Sequence, residues 1–224
     1  MKNNLEILYE DNHIIVVIKP VNILSQADNT RDIDMLTMVK DYIKVKYNKP
    51  GNVYLGLVHR LDRPTGGIMV FAKTSKASER LSKQIKEGKF DKRYYAVIDG
   101  VLEKNEDTFY DKILKTKDNS SIISEDGKDA KLSYKLLEVK NNLSLVDVNL
   151  YTGRHHQIRV QFASRGFSLY GDQRYGRENK KQLALFAHYL SFYHPVSKEK
   201  LEFNAVPLYG IFKDFFGGLY EKRS

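Results

Sequence analysis

One stretch of the chain combines polar side chains with a tight turn and a buried-strand pattern: residues 59–73 read HRLDRPTGGIMVFAK. Pro64 and the two glycines predict a sharp turn, and the apolar run at 68–72 predicts a core strand. Asp62 is therefore expected on a loop that a rigid strand holds in place but leaves open to a ligand. Such a carboxylate could act as a nucleophile or a base. Alternatively, it could do no more than cap the turn through its own backbone.

A second stretch places two tyrosines in a predicted strand. Residues 92–100 read KRYYAVIDG and alternate in character as strands do. Successive strand residues point to opposite faces of a sheet, so only one of Tyr94 and Tyr95 can face a given pocket. The alternative is an aromatic pair that packs across strands in the core.

The third stretch, residues 152–176, reads TGRHHQIRVQFASRGFSLYGDQRYG. We predict a helix from His155 to about Arg165 that the following glycine ends. Its predicted buried stripe is Ile158, Phe162 and Ala163. Arg159 would then lie near that stripe, one helical step from the two adjacent histidines.

These stretches resemble, in the same order, three motifs of the RluA-type pseudouridine synthases, which isomerise uridine in RNA. The family patterns are HRLD-x-x-T-S-G, Lys-x-Tyr-x-Ala, and Thr-Gly-Arg-x-His-Gln-Ile-Arg followed by Gly-Asp-x-x-Tyr-Gly. Three motifs in the right order form a far more specific signal than any one of them. Gly67, Gln161 and Ser168 stand where the family commonly has Ser, His and Pro. The resemblance begins almost at Met1, so we expect the catalytic domain without the S4 RNA-binding domain that many members carry before it.

The resemblance implies a role for each matched position. Asp62 is the catalytic residue, Tyr94 is the active-site tyrosine, and Arg159 pairs with Asp62. A basic partner keeps a carboxylate ionised, as a nucleophile requires. Arg60, two residues before Asp62, could fill the space that a flipped-out base leaves in an RNA helix. The other motif positions expected to bind substrate are His59, Thr65, Gly66, Arg154, His156 and Gln157.

The implied reaction requires little beyond these side chains. Isomerisation breaks the bond from N1 to the ribose C1′, rotates the base and joins C5 to C1′. Nothing is oxidised and no group enters, so no cofactor is expected. Asp62 could act as the nucleophile or as a base on the sugar, and the sequence leaves both open. Tyr94 could pack under the base, and its hydroxyl could move a proton.

Two other functional classes and one metal site fit the sequence less well. A glycoside or nucleoside hydrolase usually needs two carboxylates that flank the scissile bond, and the motifs offer one. A non-catalytic RNA-binding module would have the same charge, but the complete set of Asp62, Tyr94 and Arg159 argues against it. A zinc site would need His155, His156 and His188, but adjacent histidines do not share a helix face and no cysteine is present. We therefore expect no metal.

Composition narrows the choice of partner. The chain has 224 residues, with 37 basic against 28 acidic side chains and a formal charge of +9. That charge suits a polyanion, above all nucleic acid. Cysteine is absent, which excludes disulfides and thiolate metal sites. With no apolar signal core and no run of membrane-spanning length, we expect a soluble cytoplasmic monomer that acts on ribosomal or transfer RNA.

The elements that must position the motifs can be predicted in outline. We expect a hairpin turning at Asp11–Asn12, a helix capped by Asp32, a helix over 74–88 and a hairpin turning at Asn141–Asn142. Further strands are expected within 104–130, at 183–194 and at 201–207, with a terminal helix over 208–216. The resemblance implies a single domain over 1–224 with an α+β pseudouridine synthase fold. That fold is a mixed, mostly antiparallel sheet with flanking helices and a central active-site cleft.

Overall fold

The computed structural model describes residues 5–177 and 180–217. These residues form an α+β architecture in which a mixed, mostly antiparallel sheet is accompanied by helices, as the sequence predicts. The elements in chain order are β1 (Glu6–Glu10), β2 (Ile14–Lys19), α1 (Met35–Lys46), β3 (Gly56–Leu57), β4 (Gly66–Ala72), α2 (Ser75–Lys86), β5 (Asp91–Asp99), β6 (Glu106–Lys115), β7 (Ser121–Ile123), β8 (Lys128–Lys140), β9 (Leu143–Leu150), α3 (Gln157–Ala163), β10 (Leu185–Tyr193), β11 (Lys200–Asn204) and α4 (Phe212–Phe216).

The chain divides into two compact units. The first unit comprises the described residues up to Phe90 together with Tyr189–Ala205, and the second comprises Asp91–His188 and the described residues from Val206 on. The prediction of a single domain over 1–224 stays a prediction. No helix in the described ranges has both the length and the apolar character needed to span a membrane.

In the first unit, β2 has a neighbour on each side. It forms the amino-terminal hairpin with β1, and it also pairs with β4, the strand that follows Asp62. The predicted turn of that hairpin is confirmed, because the Asp11 carboxylate accepts hydrogen bonds from the backbone N–H groups of His13 and Ile14, both at 2.8 Å. β2 pairs antiparallel with β4 from Ile14 opposite Ala72 to Lys19 opposite Gly67. All seven residues of β4 are buried, so the loop before it starts from a rigid strand.

The helices of the first unit are capped by side chains, as their sequences predict. For α1, however, the predicted capping residue is wrong. α1 is capped by Asp34, whose carboxylate accepts from Thr37 N, and not by Asp32. Helix α1 begins at Met35, so only the residue before it can reach the free N–H groups of the first turn. Asp32 instead forms a 2.8 Å ion pair with Arg63. The predicted helix over 74–88 is confirmed as α2, which Thr74 caps through Ala77 N.

In the second unit, strands β5, β9, β8, β6 and β7 form a continuous antiparallel ladder. Its predicted hairpin turn is confirmed: Asn141 and Asn142 link β8 to β9 with φ values of 51° and 59°. Two consecutive left-handed residues are the geometry of a two-residue hairpin loop, and asparagine tolerates it best after glycine. α3 packs its Phe162 against the aromatic rings of Phe109 and Tyr134, with ring centroids 5.1 and 5.4 Å away.

Helix α3 is shorter than the sequence predicted. It begins at Gln157 and ends at Ala163, where the prediction ran from His155 to about Arg165. His156 has a left-handed φ of 53°, which cannot be part of a right-handed helix. The helix is buried almost all round, including Arg159 and Gln161, and Ala163 of the predicted stripe is only half-buried. Its polar residues therefore need partners inside the protein.

Candidate active site

The backbone that carries Asp62 is fixed from both sides. On one side, the buried Ser25 hydroxyl donates to the Leu61 carbonyl at 2.6 Å and accepts from Leu61 N at 3.1 Å. On the other side, Thr65 N donates to the Asp62 carbonyl at 2.9 Å and closes the turn. Asp62 itself is half-buried. A carboxylate on such a braced turn loses little conformational freedom when it meets a ligand, which suits a catalytic role.

A buried lysine completes the support of this turn. Lys19, the last residue of β2, is 0 % exposed, and its Nζ donates to the carbonyls of Pro20 at 2.9 Å and Arg63 at 3.0 Å. Burial lowers the pKa of Lys19 to about 7. The charge of Arg63 acts in the same direction, whereas the charge of Asp62 raises this pKa. The sequence alone did not predict this amine within electrostatic reach of the candidate catalytic carboxylate, since Lys19 there only marks the end of a strand. Its lone charge at the end of an apolar run was the available signal.

The other residues of the HRLD turn differ in what they can offer a substrate. His59 Nε2 accepts from Val70 N at 3.1 Å, so this imidazole ties the loop to β4. Arg60 is exposed. Thr65 is 2 % exposed, and within the described part of the chain its hydroxyl has no hydrogen-bond partner. A buried hydroxyl without a partner next to Asp62 is costly unless a ligand or water satisfies it, which is consistent with the substrate role predicted for Thr65.

The glycines of the turn have a conformational reason. Gly66 is buried at the start of β4, and Gly67 has a φ of 127°, a region that residues with a side chain rarely adopt. Glycine at position 67 therefore fits this backbone without strain, although the resembling family commonly has serine there.

The structure distinguishes the two tyrosines of β5. Tyr95 stacks on the imidazole of His188 with ring centroids 3.6 Å apart and planes inclined by 8°, and His188 Nε2 lies 2.9 Å from Asp147 Oδ1. Tyr94 lies on the opposite face of β5 and is 7 % exposed. The side chain of Tyr95 is thus committed to a cluster that contains no other motif residue, which favours Tyr94 as the tyrosine of the site. The same contacts give His188 partners unrelated to His155 and His156.

The third motif places Arg159 in a buried ion pair that the sequence did not predict. Arg159 Nε and Nη2 each donate to one oxygen of the Asp172 carboxylate, both at 2.8 Å. The side chains are 7 % and 0 % exposed. Asp172 is the acidic residue of the segment GDQRYG, so the two parts of the third motif meet in this pair. The predicted pairing of Arg159 with Asp62 joins residues of different units and stays a prediction.

His156 is held as a neutral ring. The Tyr175 hydroxyl accepts from Ser121 N at 2.7 Å and lies within hydrogen-bond distance of His156 Nδ1, at 2.8 Å. Burial lowers the pKa of His156 to about 3, and the charge of Arg159 acts in the same direction. At neutral pH this side chain can therefore contact RNA only as a neutral group. The Ser121 hydroxyl also donates to the His155 carbonyl at 2.8 Å, which fixes the backbone before α3.

Gln157 and Arg154 organise the loop that leads into α3. The Gln157 side-chain carbonyl accepts from Thr152 Oγ1 at 2.8 Å and from Arg154 N at 3.0 Å, while its amide donates to the Lys131 carbonyl at 3.1 Å. Gln157 is 3 % exposed, so its observed role is to fold this loop onto β8. Arg154 is half-buried, and its Nε donates to the Asp129 carbonyl at 2.8 Å.

The chain is similar to one group of known proteins throughout. A family model described as RNA pseudouridylate synthase matches residues 13–164. Ribosomal large subunit pseudouridine synthase D of Zymomonas mobilis is 34% identical over 217 residues, 90% of this chain and 68% of that protein. Dual-specificity RNA pseudouridine synthase RluA of Pasteurella multocida is 30% identical over 213 residues, 92% of this chain and 94% of that protein. The solved structure of human RNA pseudouridylate synthase domain containing 4 shares the fold, with a TM-score of 0.79 over 96% of this chain and 93% of that chain at 20% identity.

Proposed function

The chain belongs to the RNA pseudouridylate synthase family and is an RNA pseudouridine synthase, an isomerase, and we propose that it uses Asp62 to isomerise uridines of ribosomal RNA. The family predicted from the sequence is thereby confirmed. The braced turn of Asp62 is the observation that carries the assignment of the catalytic residue. It places a carboxylate on a rigid loop of a core strand, the arrangement expected of a catalytic side chain.

Two routes through Asp62 balance in atoms and charge. In one, the carboxylate attacks C1′, and the bond to N1 breaks to release a uracil anion held in the site. In the other, the carboxylate removes a proton from the sugar, and elimination breaks the same bond. In the first route the base turns, C5 attacks C1′, and the bond from C1′ to the Asp62 oxygen breaks to free the carboxylate. In the second route the base turns and C5 bonds to C1′ of the sugar alkene, while the Asp62 carboxyl group returns its proton to the sugar carbon it came from. C5 then loses its hydrogen to solvent and N1 gains a proton, so uridine and pseudouridine have the same composition.

The remaining site residues are proposed to hold the base and the RNA. Tyr94 packs against the uracil ring, which every intermediate retains. Arg159 pairs with Asp62, as the family resemblance implies. Arg60, which is exposed, enters the stack at the position that the flipped nucleotide leaves.

Ribosomal RNA is proposed as the substrate because of the names of the relatives. The Zymomonas protein is called a ribosomal large subunit enzyme, and so is a 32% identical relative, ribosomal large subunit pseudouridine synthase C of Buchnera aphidicola. The Pasteurella relative is called dual-specificity, so transfer RNA is the second candidate. The formal charge of +9 suits either polyanion. We also propose that the protein acts in the cytoplasm, where such RNA is found, and that it acts as a monomer.

The first test is tritium release from RNA labelled at uridine C5, since isomerisation frees this hydrogen. Asparagine has nearly the shape of aspartate, so Asp62→Asn should fold and bind RNA. It cannot act as an anion, so release should fall to background. The matched control is Asp41→Asn, which changes an exposed carboxylate of α1 and should leave the rate unchanged.

Each alternative function gives a different result in this assay. Free uracil from the wild type would indicate a hydrolase, because hydrolysis of the glycosidic bond leaves the C5 hydrogen in place. Binding of RNA without any release would indicate a non-catalytic binding module. Release that persists in Asp62→Asn would remove Asp62 from the mechanism.

A further inference from the structure

The carboxylate of Asp172 is buried and fully engaged in hydrogen bonds. Besides the two bonds from Arg159 at 2.8 Å, its Oδ1 accepts from Arg174 N at 3.0 Å and from Tyr175 N at 3.1 Å. Burial by itself would raise the pKa of Asp172, but the hydrogen bonds and charge of Arg159 and these two backbone N–H groups lower it below the ordinary value. The carboxylate is therefore ionised and cannot rotate without losing several bonds.

Tyr175 holds the same guanidinium from a second direction. The Arg159 guanidinium carbon lies 5.1 Å from the centroid of the Tyr175 ring, within the range of a cation–π contact. The hydroxyl of that ring is itself fixed between Ser121 N and His156 Nδ1. Thus two bonds at Asp172 set the plane of the guanidinium, and the aromatic ring limits its tilt.

Stability alone is a weak reason for such a pair. Removing two charges from water costs several kcal/mol for each ion, and apolar replacements of buried pairs are often neutral or stabilising. The pair is also electrically neutral, so Arg159 brings little net charge to its surroundings. It does provide N–H groups that point in one fixed direction, which a lysine could not provide.

We propose that Asp172 and Tyr175 are positioning residues that orient Arg159 for the isomerisation, in which Arg159 acts as a directed hydrogen-bond donor and not as a free cation. This inference rests on the proposed function, because Arg159 must take part in catalysis for its orientation to matter. It gives the segment GDQRYG a role in the reaction, because this segment fixes the guanidinium that α3 contributes.

The decisive experiment is a double-mutant cycle with Asp172→Asn and Arg159→Met, read by single-turnover pseudouridine formation. Asp172→Asn should lower the rate of the chemical step about 100-fold, the size expected for a misplaced catalytic group. RNA affinity should change little. Adding Asp172→Asn to Arg159→Met should cause no further loss, because the group to be positioned is already gone. Losses that multiply, or that fall equally on affinity and rate, would show a purely structural role and overturn the proposal.

The matched control uses a second carboxylate–arginine pair of the same unit. Asp111 binds Arg165 at 3.0 Å, near the end of α3 and with no part in the proposed reaction. Asp111→Asn should leave the single-turnover rate within about 2-fold of wild type.

Arg159→Lys separates direction from charge. Lysine keeps the positive charge but lacks the planar fork, so its rate should be as low as that of Arg159→Met. A rate near wild type for Arg159→Lys would overturn the directed-donor role. If Asp172→Asn does not fold, Tyr175→Phe is the substitute, since it keeps the ring and removes only the hydroxyl. Its rate should fall about 5-fold, the effect of one hydrogen bond, and an unchanged rate would count against the proposal.

A measurement without substrate distinguishes failure of this inference from failure of the proposed function. In the wild type, the Arg159 Nε–H should give a nitrogen–proton NMR signal protected from exchange with water. Asp172→Asn should abolish the protection and leave the Arg165 signal as it was. Protection lost without any change in rate would overturn the positioning role. A wild type that forms no pseudouridine on cellular RNA but retains the protected signal would overturn the proposed function, and the inference with it.

Discussion

Replacing Lys19 by methionine should change the pH dependence of stability by a predictable amount. The amine has a pKa of about 7 in the folded protein, because burial disfavours its charge, and about 10.4 in the unfolded chain. The unfolded state therefore binds more protons between these two values, and stability rises with pH across that window. The stability that the deprotonation of Lys19 provides is complete above about pH 10.4. It is lost as the pH falls to about 7 and changes little below that.

Between pH 6 and pH 9 the unfolding free energy of the wild type should thus rise by about 2 to 3 kcal/mol relative to Lys19→Met. The full slope is about 1.36 kcal/mol per pH unit, and it is smaller near and below the folded pKa, where Lys19 is partly protonated in the folded state. At pH 6 the unfolding free energies of the wild type and Lys19→Met should differ less than at pH 9. Methionine removes the cost of burying a charge, but it leaves the carbonyls of Pro20 and Arg63 without their donor, at about 1–3 kcal/mol each. Turnover should fall at every pH, because the Arg63 carbonyl adjoins Asp62 and loses its anchor.

Urea unfolding of both proteins at pH 6, 7, 8 and 9 provides the measurement. The difference in midpoint should shift by about 1 M over this range for typical slopes. Lys83→Met is the control, since the Lys83 side chain is 76% exposed, and its difference from wild type should not depend on pH. If the curves for wild type and Lys19→Met stay parallel from pH 6 to 9, Lys19 keeps an ordinary pKa in the fold and the reasoning is refuted.

Two further predictions concern RNA. Affinity for structured RNA should fall steeply with salt, with a log–log slope of about −5 if about six phosphates are contacted; titrations from 50 to 300 mM salt measure it, and a flat response would exclude RNA as the partner. Arg60→Ala should slow pseudouridine formation on a uridine in a folded stem-loop more than on a short unstructured strand, where flipping a base costs little; equal losses on both substrates would instead assign Arg60 to phosphate binding or to structure.

Local patterns predicted most of the fold. The turns at Asp11 and at Asn141–Asn142 form because short polar side chains favour those backbone conformations wherever the chain continues. The cap of α1 was placed two residues too early because Asp32 and Asp34 are equivalent by local pattern. What decides between them is where the packed helix begins, and that depends on contacts far away in the sequence. The shortened α3 has the same origin, since His156 takes its left-handed conformation within a network that includes Ser121.

The sequence proposes the motif residues of the site but does not predict the side chains and carbonyls that they bind. The resemblance to the family motifs proposes Asp62, Tyr94 and Arg159 as a set, but a motif cannot say which buried group satisfies each charge. Lys19 lies 44 residues from Arg63, whose carbonyl it binds, and Asp172 lies 13 residues from Arg159. Such pairs follow from the requirement that buried polar groups find partners, which only a folded chain can satisfy.

These partners change how charge is distributed among the proposed catalytic groups. The resemblance implies that Arg159 pairs with Asp62, and the structure shows that the same guanidinium also binds Asp172 through two 2.8 Å bonds. Lys19 is a cation of the same unit as Asp62, and its pKa responds to the Asp62 charge. A neutral amine still has two N–H donors for the two carbonyls that Lys19 binds, so the turn can keep its shape whether or not Lys19 is protonated. The fold therefore fixes the shape of the Asp62 turn and the direction of the Arg159 guanidinium in advance of the substrate.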